Sequence, residues 1–187
     1  MVEFVKGVPY ETLRRRELDS IDRVVVHRIE VSQEDPSYAD SALEVARFFL
    51  EHPIGVKATG GAMPYPLLIS VDGQIEQTVP LNCITPHARA ANETGIGVGC
   101  VGDFRGTAPA AAQYSALVEL CAALCKALDL PAAAVMGHDE ISGSSHDSDK
   151  QCPGPALSMD ELRSRVASRI EAAQTYPLVW SEHEAPR

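Results

Sequence analysis

The amino-acid sequence predicts a single α/β domain with a mixed β-sheet, and three observations carry that reading. Short apolar, β-branched runs such as Val24-Val25-Val26 and residues 134–137 alternate along the chain with segments of helical periodicity. Asp72-Gly73 sits between two strand-like stretches, Tyr65–Val71 and Gln74–Val79, and signals a hairpin. Neither a repeat nor a linker interrupts the 187 residues, which suffice for one domain with a sizeable core. The domain is therefore expected to span residues 1–187, with 175–187 as a C-terminal tail.

Each element can be justified in turn. Residues 1–20 are polar, with the basic run Arg14-Arg15-Arg16, and read as a solvated lead-in with at most one short helix. Residues 23–29 form the first strand, because three β-branched residues in a row suit a buried strand. Glu30 to Ser37, with Pro36, is a loop. From Tyr38 to Glu51, Ala42, Val45, Ala46, Phe49 and Leu50 recur at helical spacing, and Pro53 ends that helix. Residues 55–64, with three glycines and Pro64, read as a flexible loop before the hairpin.

Residues 80–94 lack periodicity. Gly95 to Val101 alternates glycine with Ile96, Val98 and Cys100, a pattern of strands that pass close to a ligand or another backbone. Pro109 opens a long helix whose inner face carries Leu117, Leu120, Leu124 and Leu128, and Pro131 closes it. A short strand over 134–137 leads to His138. Ser158-Met159-Asp160-Glu161 is a capping-box pattern opening a helix to about Ala173. The tail carries the one tryptophan, Trp180, whose side chain is expected to fold back on the domain.

Composition excludes several functions. A formal net charge of −10 argues against nucleic acid as a partner, since phosphate binding needs a basic face. No run approaches a membrane span, and residues 1–20 contain no apolar core of a secretory signal. Synthesis without export signal is the expectation, followed by release or export to a cell wall or by action in the cytoplasm. The five cysteines do not form a disulfide scaffold. Cys83, Cys100, Cys121 and Cys125 read as small core residues, and a reducing compartment is the simplest setting. His52 and His183 read as surface residues.

Chemistry concentrates at three places. His27 follows Val24-Val25-Val26, and His138 follows Val135-Met136-Gly137. Cys152 precedes Pro153-Gly154. Two imidazoles and a thiolate suit zinc, provided the strands that carry them lie side by side. The competing reading is a pair of core histidines and an inert thiol before a turn. Three protein ligands would leave zinc a position for water, whose pKa would fall to about 7. An HExxH arrangement is absent, so the glutamate-base protease pattern does not apply.

The order of segments carries a resemblance. Val-Val-His27, then Tyr65-Pro-Leu-Leu-Ile-Ser-Val-Asp72-Gly73, then His87-Ala88 with Asn92, come first. Gly95-Ile96-Gly97-Val98 leading to Val101-Gly102-Asp103-Phe104, then Gly137-His138-Asp139, and Lys150-Gln151-Cys152-Pro153-Gly154 follow. Together, over about residues 20–173, they resemble the type 2 N-acetylmuramoyl-L-alanine amidases. That superfamily includes amidase-type phage lysozymes and the peptidoglycan recognition proteins. The resemblance implies a central mixed β-sheet flanked by helices, with zinc in a surface groove. It implies hydrolysis of the amide between the lactyl group of muramic acid and L-alanine of the stem peptide.

Carried over residue by residue, it implies His27, His138 and Cys152 as zinc ligands, and Tyr65 and Lys150 as catalytic residues. It also implies His87 and Asn92 as a groove segment that binds muropeptide. Lys150 would donate to the oxyanion, and Tyr65 would hydrogen-bond the water or the developing charge. Peptidoglycan or muropeptides are the implied partners, and a monomer is expected.

Two departures matter. The stretch from His138 to Cys152 is long and holds His146, Asp147 and Asp149, each a conceivable ligand. Gly99 stands where the anhydromuropeptide-recycling amidases resembled here carry glutamate. With Cys as third ligand, this points to the phage and recognition-protein branch. The alternatives are a muropeptide-binding module without catalysis and a cytoplasmic recycling amidase.

Overall fold

The computed structural model describes residues 2–29, 42–141 and 151–185. Among these residues lie six strands, β1 (Val2–Phe4), β2 (Arg23–Ile29), β3 (Leu67–Ile69), β4 (Ile75–Gln77), β5 (Gly95–Val101) and β6 (Val135–Gly137). The helices are α1 (Ala42–Glu51), α2 (Pro53–Thr59), α3 (Ala111–Ala127) and α4 (Met159–Arg169). One sheet holds every strand in the order β1-β4-β3-β5-β2-β6. Only β3 and β4, the hairpin, pair antiparallel; the other neighbours are parallel, so the sheet is mixed as expected.

The two faces of the sheet are unlike. Side chains alternate along a strand, so Val24 and Val26 point one way and Val25 and His27 the other. On the first face Val24, Val26, Leu67, Ile69, Ile96, Val98 and Cys100 meet Leu117, Leu120, Leu124, Leu162 and Val166 of α3 and α4 in the main core. On the second face Ile29 and Leu68 pack against Ala42, Val45 and Ala46 of α1. Val25 there meets Ala88, Ala91 and Ile141. Cover on both faces explains why all three valines are fully buried. Leu120, fully buried under the sheet, gives a stability prediction: Leu120→Ala should cost about 2–5 kcal/mol in a urea titration, and a loss under 1 kcal/mol would mean the α3 core collapses around the gap.

Several expectations need correction. The first twenty residues are not a solvated lead-in. Val2 to Phe4 form a strand beside β4, and Arg15 bridges to Cys83. Arg16 is half-buried rather than solvated: its guanidinium donates to the carbonyls of Leu81, Asn92 and Gly95 and ties down the segment 81–95. Pro53 does not simply end a helix. His52 caps a new one, Ile54 N–H donating to its Nδ1, and Pro53 takes the first position, where a missing N–H costs nothing. The loop expected over 55–64 is therefore helical to Thr59.

Other readings hold. Cys83, Cys100, Cys121 and Cys125 are buried free thiols, and His52 and His183 are exposed. The tail folds back, with Leu81 N–H donating to Val179 O and Asn82 N–H to Trp180 O.

Candidate metal centre

The centre lies where β6 ends beside the parallel strand β2. Val26 pairs with Gly137 of β6 and with Val98 of β5. The next residues, His27 two before the end of β2 and His138 just past the end of β6, therefore stand side by side toward the carboxyl ends of neighbouring strands, the usual place for a site in an α/β sheet. Their ring centroids are 4.5 Å apart. His138 opens a short 3-10 turn to Glu140, whose carboxylate accepts from Gly137 N–H at 2.7 Å and pairs with Arg163 of α4 at 2.9 Å. The third group arrives by a backbone tether: Asp139 N–H donates to Cys152 O at 2.9 Å. As a result, one ligand atom from each of His27, His138 and Cys152 falls within 4.8 Å of the other two. Cys152 Sγ lies 3.8 Å from His27 Nδ1. This trio could hold one metal ion.

Burial sets the charge state of these groups. His27 is buried, and desolvation, then the neighbouring His87 and His138, hold its pKa well below the usual histidine value. Burial also lowers His138. Both imidazoles are therefore neutral and offer a lone pair. Burial pushes the Cys152 thiol up to about 11, against a backbone hydrogen bond and the charge of Arg28, which pull it down. Arg28 itself is mostly buried, its Nε 3.8 Å from Asp103 Oδ1. It is a residue the sequence reading passed over; the available signal was a basic side chain directly after a strand-end histidine.

The family model described as N-acetylmuramoyl-L-alanine amidase (Amidase_2) matches residues 17–155. The chain belongs to that family. Among solved structures the chain is similar to the Ph2119 endolysin from Thermus scotoductus MAT2119 bacteriophage Ph2119, at 27% identity and a TM-score of 0.63, covering 89% of this chain and 99% of that one. It shares its fold with the endolysin amidase LysCS from Clostridium intestinale URNW, at 17% identity and a TM-score of 0.68, covering 89% and 95%. It likewise shares the fold of Drosophila peptidoglycan recognition protein SA, at 19% identity and a TM-score of 0.67, covering 87% and 90%. No curated protein matches the chain significantly by sequence.

Within this family member the remaining predicted site residues fall in different places. Tyr65 is beside the centre, its ring 5.0 Å from that of His27 and edge-on to Phe49. Burial raises its pKa, with the Cys152 charge adding to the rise, so the phenol stays protonated and can only donate or accept a hydrogen bond. His87 is not the open groove residue expected. It is buried behind His27, with Nδ1 3.1 Å from His27 Nε2 and Nε2 3.2 Å from Gly95 O. Asn92 is likewise turned inward: its Oδ1 accepts from Ala88 N–H at 2.7 Å and closes the turn that carries His87. Both ring nitrogens of His87 are thus used inside the fold, as is the Asn92 Oδ1, which leaves these atoms little to offer a ligand. Lys150, His146, Asp147 and Asp149 lie outside the described residues.

A pH dependence follows from His87. Burial pushes its pKa down to about 3, aided by the Arg16 and His138 charges and opposed by the Gly95 carbonyl. In the unfolded chain it would titrate near 6.5, so the unfolded state takes up the proton first as the pH falls. Stability present above pH 6.5 is then lost on acidification toward pH 3, by about 1.4 kcal/mol per pH unit for this group. Urea titrations of metal-free protein from neutral pH to about pH 4 measure it; a midpoint that does not fall would mean His87 is hydrated.

Proposed function

We propose that the chain is an active zinc amidase. It would hydrolyse the amide between the lactyl group of muramic acid and L-alanine in peptidoglycan or muropeptides. The observation that carries this reading is the convergence of His27, His138 and Cys152 within 4.8 Å. The donor set suits zinc, and the 3.8 Å from Cys152 Sγ to His27 Nδ1 is close to the roughly 3.6 Å edge of a tetrahedral N–Zn–S arrangement. A bound zinc would supply a water of pKa about 7 and polarise the scissile carbonyl. The chain's own residues would do the rest. His27, His138 and Cys152 hold the ion at the sheet's end, and the protonated Tyr65 donates toward charge developing on the carbonyl oxygen. Lys150, two residues before Cys152, would donate beside it. The endolysin name of the Thermus phage relative agrees with action on cell walls.

The test is to digest purified peptidoglycan and soluble anhydromuropeptides and to count new amino termini and new reducing ends by mass spectrometry. The expected result is new L-alanine amino termini with intact glycosidic bonds, abolished by a chelator and restored by zinc. Binding to either substrate without new termini would make the chain a recognition module instead. Cleavage confined to the soluble anhydromuropeptides would point to recycling.

A further inference from the structure

The buried His27–His87 pair carries more than packing, and its hydrogen bonds can be read in one direction only. Gly95 O lies 3.2 Å from His87 Nε2. A carbonyl oxygen accepts and never donates, so the proton of a neutral His87 sits on Nε2. The same carbonyl accepts from Arg16 Nη1 at 2.8 Å, which uses its second lone pair and anchors it. With Nε2 protonated, His87 Nδ1 is bare and must accept. Its partner, 3.1 Å away, is His27 Nε2, which must then donate. His27 Nδ1 is left with its lone pair, and that is the atom 3.8 Å from Cys152 Sγ.

The slot that holds His87 is built by the glycines of β5. A Cβ on Gly97 would come within 3.0 Å of His87 Cγ, and one on Gly95 within 3.3 Å of Cε1. The ring stands at 85° to that of His27, edge-on, and a side chain at Gly97 would press directly on it. The alternating Gly-X-Gly of β5 thus makes room both for a histidine, at Gly97, and for a second backbone, since a Cβ on Gly95 would fall 2.7 Å from Ala91 O.

We propose that His87 is a positioning residue which fixes His27 as its Nε2–H tautomer, so that Nδ1 always faces the metal centre. This rests on the metal reading for its consequence but not for its structural content. In a metal site the outer partner of a ligating histidine sets tautomer and ring orientation, and its loss typically costs 10–100-fold in affinity.

The experiment uses the full chain without metal. Long-range ¹H–¹⁵N correlation spectra of the histidine rings assign the proton of His27 to Nε2 or Nδ1. The expected result is Nε2–H in the wild type, a mixture of tautomers in His87→Ala, and restoration by His87→Gln, whose amide can accept and donate as the imidazole does. Zinc titration against a competing chelator should show a dissociation constant about 10–100-fold larger in His87→Ala, recovered at least in part in His87→Gln. A wild-type His27 protonated on Nδ1 would overturn the proposal, as would unchanged tautomer and affinity in His87→Ala. If His87→Ala does not fold, the wild-type tautomer and the His87→Gln affinity decide. If the wild type binds no zinc, the metal reading falls while the spectra still decide the tautomer.

Discussion

Cys152→Ala is expected to leave the purified protein without stoichiometric zinc and to bring amidase activity down to background. Three donors converge, and the thiol is the one of them that becomes an anion on binding, so its loss removes both a bond and the charge that offsets the cation. Two imidazoles remain, His27 buried and His138 half-buried, which is too few for a tightly held site. Metal analysis of the variant after reconstitution with zinc measures the effect. His146→Ala is the matched control and is expected to keep zinc, because Cys152 is already tethered to the His138 turn through Asp139 N–H. Zinc retained in Cys152→Ala but lost in His146→Ala would reassign the third ligand.

Tyr65→Phe should lower kcat by up to about 10²–10³ while zinc stays bound. The ring packs between His27 and Phe49, and phenylalanine preserves those contacts, so the change removes little but the hydroxyl. That hydroxyl is held protonated by burial and acts as a donor rather than a base. A water molecule in its place would shrink the loss toward the lower figure. Lys150→Ala should behave alike, with kcat reduced at unchanged zinc content. Full activity in both variants would reduce Tyr65 to packing and Lys150 to solvation.

The parts legible in the sequence were those in which one segment declares itself. Val24-Val25-Val26 can only be comfortable inside a sheet, and Asp72-Gly73 can hardly be anything but a turn, with Gly73 at φ +87°. The register that sets His27 beside His138 follows once both strands are parallel. What was hidden depends on distant partners. Val2 to Phe4 become a strand only because Ile75 to Gln77 wait for them. Arg16 reads as one of three surface cations until the carbonyls of residues 81, 92 and 95 surround it. His87 reads as a loop residue because the slot that buries it belongs to another strand and is made of missing side chains, which no local pattern announces. Pro53 misled for a local reason: a proline that stops one helix also starts one well.

The tail bears on how the molecule is made. The buried side chain of Gln77, at the end of β4, imitates a peptide group: its Oε1 accepts from Val179 N–H at 2.8 Å while its Nε2 donates to Val179 O at 2.6 Å. The two residues are 102 apart in the chain. On a ribosome, every strand and helix described here is synthesised before Val179 emerges from the exit tunnel. Until then Gln77 Nε2 keeps only the Val79 carbonyl and Oε1 lacks its donor, and a buried polar atom left unpaired costs about 1–3 kcal/mol. The strands of the sheet and both histidines are thus laid down ahead of the segment that seals this edge.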